Sequence, residues 1–241
     1  MKKKLALILA GTAMAAMVLA GCGDKNNASG EDVKTAESVE DKKTFTVGFD
    51  AEYPPYGYMD ENGEYTGFDL ELAQAVCDKE GWELVKKPIN WDSKDMELNS
   101  GSIDCIWNGF TMNGREDEYT FSVPYVDNSQ VIVVAENSGI EQLSDLAGKT
   151  VGVQAASAAL DLLQSEDEGG QKALADTFGS LNEFADYNTA FTELQAGALD
   201  ALAIDVGVAK YQLNSRGEGF KILDETLNTE QYAIGFKKGN T

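Results

Sequence analysis

Part of this chain is written twice, and that narrows the possible folds more than any other feature. Thr46-Val47-Gly48-Phe49-Asp50 recurs as Thr150-Val151-Gly152-Val153-Gln154. Leu98-Asn99-Ser100-Gly101-Ser102-Ile103-Asp104 recurs as Leu194-Gln195-Ala196-Gly197-Ala198-Leu199-Asp200. Either match alone is short enough to arise by chance; two in the same order imply two lobes built alike. In the second pair a Leu closes an amphipathic helix and a Gly stands just past it, where a positive φ costs little. An apolar strand follows in each copy, Cys105-Ile106-Trp107 and Ala201-Leu202-Ala203-Ile204.

The segments between the repeats fit an α/β chain. Phe68, Leu72 and Val76 recur at helical spacing on one apolar face and predict a helix ending at Gly81. Trp82–Val85 predicts a strand that stops before Pro88, and Asp92 or Ser93 caps a second helix running to Gly101. Val131–Val134 has the composition of a buried strand. Ser157 is placed to cap a helix through Leu160 and Leu163, Asn188 or Thr189 to start the helix that ends at Gly197, and 166–170 forms a solvated loop. Strands alternating with helices predict mainly parallel sheets with ligands at the carboxyl ends of strands. The expected fold is therefore α/β, with two similar lobes facing across a cleft. Lobe 1 is 44–127 plus 231–241, and lobe 2 is 128–230. The chain passes between them near Val126–Gln130 and again near Asp224–Glu230, which predicts a two-strand hinge.

Composition excludes several functions. Asp and Glu number 41 against 19 Lys and Arg, for a formal charge of −22, and phosphate binding needs clustered cations, so nucleic acid is not an expected partner. There is no histidine, which removes Ser-His-Asp and Cys-His pairs, His metal sites and His bases. No metal or cofactor is expected. Arginine occurs only at Arg115 and Arg216, so any guanidinium fork has two candidates.

The N-terminus has the form of an address. Lys2-Lys3-Lys4 precedes the apolar run Leu5–Ala20, and Leu19-Ala20-Gly21-Cys22 follows. A charged start, a short apolar stretch and small residues make a secretory signal over 1–21, and the run is shorter than the about 20 residues a membrane span needs. The Cys after Leu-Ala-Gly resembles a bacterial lipoprotein signal, in which the thiol of Cys22 is lipidated and anchors the protein to the outer face of the cell membrane. An ordinary signal peptide with a chance Cys, or a transmembrane anchor, are the alternatives. The stretch 22–43 has no aromatic residue and is rich in Asp, Glu, Lys, Ser and Asn, so it cannot bury enough surface to order itself and is expected to be a flexible tether. In an exported protein Cys77 and Cys105 either pair or remain two small buried thiols.

The residues at strand ends carry a resemblance. Phe49-Asp50-Ala51-Glu52-Tyr53-Pro54-Pro55-Tyr56, Gly67-Phe68-Asp69-Leu70, Trp91-Asp92, Asn108-Gly109-Phe110-Thr111-Met112-Asn113-Gly114-Arg115 and Phe121-Ser122-Val123-Pro124-Tyr125 are followed, in the second half, by Gly152-Val153-Gln154-Ala155-Ala156-Ser157 and Asp205. From Thr44 onward this ordered set resembles the solute-binding proteins of bacterial polar-amino-acid ABC importers. The resemblance implies a type II periplasmic-binding-protein-like fold, a monomer, a free polar amino acid as ligand and the importer's permease subunits as partners. It departs where relatives usually have Gly-Thr in place of Ala156-Ser157 and Thr in place of Asn113, and Thr111–Arg115 is one residue shorter than in many relatives. Relatives also continue past Tyr232–Phe236 through helices that complete the first lobe, so the chain is expected to lack its C-terminal part.

The chemistry of an α-amino acid then assigns the cleft. A carboxylate is best held by a guanidinium fork. Arg115 lies in a Gly- and Asn-containing loop at a strand end, whereas Arg216 lies in the polar turn 214–218. The resemblance also selects Arg115, with Thr111 and Ser157 completing the carboxylate site; a surface ion pair of Arg115 with Glu116, Asp117 or Glu118 is the alternative. Asp205 ends an apolar strand and is either a helix cap or a ligand contact. The resemblance makes it the amino-group carboxylate, sharing the ammonium with the carbonyl of Gly109. Tyr53, Tyr56 and Trp91 would wall the side-chain pocket, with Asn108 reaching it. Asp50 either contacts an amino group of the ligand or braces the Tyr53 turn, and near this pocket it tilts the ligand toward arginine, lysine or glutamine. An enzyme on the same scaffold, a dehydratase-like relative, and a ligand-sensing ectodomain are the competing functions; without histidine the enzyme needs more assumptions.

Overall fold

The computed structural model describes residues 43–240. The expected leader, the expected lipidation site at Cys22 and the expected tether up to residue 42 lie outside the described residues. In chain order the first part comprises β1 (Thr44–Phe49), β2 (Glu52–Tyr53), β3 (Gly57–Met59), β4 (Tyr65–Thr66), α1 (Phe68–Glu80), β5 (Glu83–Pro88), α2 (Lys94–Asn99), β6 (Cys105–Ile106) and β7 (Tyr119–Phe121). The second part comprises β8 (Val126–Ala135), β9 (Thr150–Gln154), α3 (Ala158–Gln164), α4 (Lys172–Ala175), β10 (Ser180–Phe184), α5 (Tyr187–Gln195), β11 (Ala201–Asp205), α6 (Val206–Arg216) and β12 (Phe220–Tyr232), and β13 (Gly235–Lys237) returns to the first.

Two five-stranded sheets result, ordered β5-β1-β6-β13-β7 and β10-β9-β11-β8-β12. In each, three strands run parallel, β5-β1-β6 and β10-β9-β11. The remaining strands are antiparallel, so the sheets are mixed where the alternation of elements predicted mainly parallel ones. The reason is the chain's double passage between lobes. The strand entering the second lobe (β8) follows β7 without a crossover helix and lies antiparallel between β11 and β12, which α6 connects, and it pairs along its length with the strand leaving the lobe, β12. β7 ends just before β8 and β13 begins just after β12, which makes this pair the two-strand connection between lobes.

The repeat has a physical basis. Asp104 Oδ2 accepts the Thr46 N–H at 2.7 Å, and Asp200 Oδ2 accepts the Thr150 N–H at 2.8 Å. A Cβ on Gly48 would stand 2.4 Å from Ile103 Cδ1, and one on Gly152 would stand 2.5 Å from Leu199 Cδ1. In both lobes the strand needs a glycine because the residue before the repeated Asp packs flat against its backbone.

Several local expectations change. α1 ends at Gly81, left-handed at φ 70°, but it buries Asp69, Leu70, Ala73 and Cys77, and Phe68 is 49% exposed. The stripe of large residues had pointed to the wrong face, because the helix lies close to its sheet through small side chains. Asp186, not Asn188 or Thr189, caps α5, its carboxylate accepting the Thr189 N–H at 2.7 Å. Arg216 is not in a solvated turn; it closes α6, donates to Gln212 Oε1 at 2.7 Å and lies over the Phe191 ring. Cys77 and Cys105 are buried free thiols, and Cys105 belongs to the apolar cluster of Val47, Phe49 and Leu70. Another cluster joins Tyr53 and Tyr56 of the first lobe to Tyr187, Phe191 and Ile204 of the second.

Candidate ligand site between the lobes

The carboxyl ends of the parallel strands in both sheets meet, as the α/β pattern requires. From the first lobe Tyr53 of β2, Trp91 before α2, and Gly109, Thr111 and Arg115 after β6 line a small cavity. From the second, Gln154 ends β9, Ser157 and Ala158 start α3, and Asp205 ends β11. Only about 10 Å³ is open, room for about one water, so an amino acid enters this site only when the lobes part.

Polar contacts across the interface hold the lobes together. Arg115 Nη2 meets Asp161 Oδ2 at 2.6 Å, Gln154 Nε2 donates to Asp50 Oδ2 at 2.7 Å, and Lys94 Nζ donates to the Ala156 carbonyl at 3.1 Å. Arg115 is 9% exposed, lies over the Phe110 ring and also reaches the Thr111 carbonyl at 3.4 Å. Its ion-pair partner is thus Asp161 of the opposite lobe rather than Glu116, Asp117 or Glu118 beside it. Ser157 caps α3, accepting the Leu160 N–H at 3.1 Å. Just before it, Ala156 takes φ +54°, a left-handed conformation that crowds a Cβ and favours glycine.

Asp205 is 3% exposed. It stands at the N-cap position of α6 without bonding the helix N–H groups, so it is free for other partners. Its Oδ1 accepts from Asn128 Nδ2 and Gln130 Nε2, each at 2.7 Å, and from the Tyr232 hydroxyl at 2.6 Å. Burial, followed by the charge of Glu230, pushes its carboxyl up to about 6. Burial likewise raises Asp50 to about 6, against the N–H of Glu52 and the amide of Gln154, which favour its charged form.

Asp50 and Trp91 also border a larger neighbouring cavity of about 560 Å³, whose walls include Glu52, Asp92 and Asp186. Tyr56 and Asn108 line neither space. Tyr56 packs edge-on against Tyr232 and near Tyr53. Asn108 is buried close to Gly57, with both of its amide atoms unpartnered.

Sequence reasoning missed several residues here. Gln154 and Asp69 lie in the strand-end motifs but carry no role that the sequence signals. Asp69, fully buried on α1, accepts the Gly109 N–H at 2.6 Å and the Tyr125 hydroxyl at 2.8 Å, so it orients the loop on which Gly109 and Thr111 stand. Burial raises its carboxyl to about 7. Asp161, Asn128, Gln130 and Glu230 left no local signal, since each acts only across a tertiary contact.

The comparisons with known proteins agree with this geometry. The family model described as bacterial extracellular solute-binding proteins, family 3, matches residues 45–241. The arginine-binding extracellular protein ArtP of Bacillus subtilis (strain 168) is 32% identical over 99% of this chain and 87% of its own length. The L-cystine-binding protein TcyJ of Escherichia coli (strain K12) is 28% identical over 94% of this chain and 82% of its own. The crystal structure of an ABC uptake transporter substrate-binding protein from Streptococcus pneumoniae with bound histidine is similar at a TM-score of 0.76 and 35% identity, covering 81% of this chain and 80% of that one.

Proposed function

Because the chain belongs to the bacterial extracellular solute-binding proteins, family 3, we propose that it captures a polar L-amino acid between its lobes and presents it to the permease of an ABC importer. The observation that carries this is one cavity bordered by Arg115 of the first lobe and Asp205 of the second. A guanidinium and a carboxylate on opposite lobes match the carboxylate and ammonium of an amino acid. Neither lobe alone holds both, so a ligand contacting both favours closure. In this reading Arg115, Thr111 and Ser157 hold the carboxylate, Asp205 and the Gly109 carbonyl hold the ammonium, and Tyr53 and Trp91 wall the side chain. Tyr56 supports that wall from behind through its contact with Tyr53.

The ligand's side chain is cationic. Its space opens toward the cavity that Asp50, Glu52, Asp92 and Asp186 border, where no Lys or Arg lines the wall among the described residues. The Trp91 face adds a surface on which a guanidinium stacks. That the Bacillus relative is named as arginine-binding supports the same choice. The family is one of binding proteins, and in the proposed reading this chain leaves its ligand chemically unchanged; a dehydratase-like activity has no observation in its favour. The proposal includes lobes at 44–127 plus 231–241 and 128–230, a lipid anchor at Cys22 after removal of 1–21, an extracytoplasmic tether and a monomeric state.

Mass spectrometry of small molecules released from the purified protein tests the function. An unaltered basic amino acid at near-stoichiometric amount is expected. A chemically converted product would move the chain to the enzyme class, and an acidic amino acid would overturn the choice of side chain.

A further inference from the structure

Glu230 lies on β12, in the connection between lobes, and is 4% exposed. Its Oε1 accepts from Asn128 Nδ2 and Gln130 Nε2, each at 2.8 Å, and from the Thr111 hydroxyl at 2.7 Å. The same two amide nitrogens donate to Asp205 Oδ1. Each –NH2 group therefore gives one hydrogen to each carboxylate, and two buried anions share one pair of neutral donors. The carbonyl oxygens of Asn128 and Gln130 are buried with no partner. Rotating either amide would point an oxygen at the carboxylates, so the cluster is rich in acceptors and short of donors whichever way the amides are placed.

Two adjacent buried carboxylates do not both ionise freely, and among the described residues no cation is bonded to either one. The other titratable groups facing Asp205 are phenols: Tyr53 on β2, Tyr56 after it, Tyr187 on α5 and Tyr232 on β12. All are pushed further above their ordinary range by burial, so they stay neutral from pH 5 to 8. Arg115 lines the same cavity but is held by Asp161.

We propose that Asp205 and Glu230 form one anionic seat that keeps a proton in the empty protein and loses it to water when a ligand's ammonium arrives, so that capture is coupled to proton release and Glu230 sets the pH below which capture fails. The proposal rests on the amino-acid reading above. In the empty state the pair carries one negative charge and one proton. In the bound state it carries two negative charges against one ammonium, and the proton has gone to solvent, so charge and atoms balance. The raised position of Asp205, about 6, with Glu230 as the second cause after burial, places the transition in the mildly acidic range. Above it the seat is already empty of its proton and binding releases none. Below it affinity falls by up to about tenfold per pH unit.

The test is calorimetric titration of the full chain with L-arginine at pH 5.5 and 7.5, in buffers of different ionisation enthalpy, for wild type, Glu230→Gln and Glu230→Asp. With the transition near 6, wild type is expected to release about three-quarters of a proton at pH 5.5 and almost none at pH 7.5. Glu230→Gln removes the neighbouring charge, so its release at pH 5.5 falls and its acid limb moves to lower pH, while Glu230→Asp keeps both. A Glu230→Gln profile that overlays wild type overturns the proposal, as does equal wild-type affinity at the two pH values. Carboxyl 13C titration of the ligand-free protein reads the pair directly: Asp205 is expected to titrate near 6 in wild type and lower in Glu230→Gln. Ordinary, independent titrations of the two groups would also overturn the proposal. If no amino acid binds at any pH while the carboxyl titrations remain coupled, it is the amino-acid reading that has failed.

Discussion

Replacing Arg115 by Ala separates a binding cleft from a merely packed one. Its side chain makes three contacts: the Asp161 ion pair at 2.6 Å, the Thr111 carbonyl at 3.4 Å and the Phe110 ring at 5.0 Å. The Asp161 side chain is 61% exposed, so water takes over its solvation, and the pair contributes about 0–1 kcal/mol. The cation–ring contact adds about 0.5–1 kcal/mol. Folding stability should therefore fall by about 2 kcal/mol or less. The ligand's carboxylate has no such substitute. Held in a nearly closed cavity and deprived of its guanidinium, it becomes an unpaired buried charge, and that costs about 2–5 kcal/mol, a loss of about 30- to 4,000-fold in affinity. Arg216→Ala is the matched control: it loses bonds to Gln212 and to the Asn188 carbonyl and a ring contact with Phe191, and it lines neither the small cavity nor its larger neighbour. Calorimetric titration of both variants with L-arginine, beside urea melts of each, decides the matter. If Arg216→Ala loses affinity and Arg115→Ala retains it, the carboxylate site has been misassigned. If Arg115→Ala loses affinity only in proportion to a collapse in stability, the residue is structural.

Two other outcomes follow from the same contacts. Ala156→Gly relieves a left-handed φ of 54° that costs an L-residue about 1–2 kcal/mol, offset by the about 0.5–1 kcal/mol of extra freedom glycine gains on unfolding. A net stabilisation of up to about 1 kcal/mol is expected in urea melts, and a destabilised variant would contradict it. Asp50, Asp69 and Asp205 are raised to about 6, 7 and 6 from an ordinary value of 3.8, so the folded state binds their protons more tightly than the unfolded chain. Their contribution is fully present below about pH 4 and is lost as pH rises through 6 to 7. The ligand-free protein should melt at a higher temperature at pH 5 than at pH 8, with a shallower slope in Asp69→Asn; a melting temperature that rises with pH would refute the assignment.

The repeat was legible because it is enforced locally. Gly48 and Gly152 must lack a side chain where Ile103 and Leu199 lie, and Asp104 and Asp200 must reach the N–H groups of Thr46 and Thr150. Each requirement leaves one residue type at one position, so two lobes with parallel strands could be read directly. Arg115 and Asp205 stood out as candidates because a guanidinium in a glycine-containing loop and a carboxylate ending an apolar strand are unusual in a core, and the family resemblance was needed to give each a role. The buried face of α1 was not legible, since Ala73 and Cys77 carry no stronger apolar signal than the exposed Phe68 and Val76.

What the sequence could not contain is the pairing of residues far apart in the chain. Which carboxylate meets Arg115, that Gln154 reaches Asp50, and that Glu230 shares two amides with Asp205 depend on how one lobe is placed over the other and on the register of β8 against β12. Local propensity and periodicity act within a few residues, whereas charge coupling in a low-dielectric interior acts through space. The sequence by itself therefore determined the two-lobe fold and named the candidate residues of the cleft, while only the tertiary structure decided which charges stand together there.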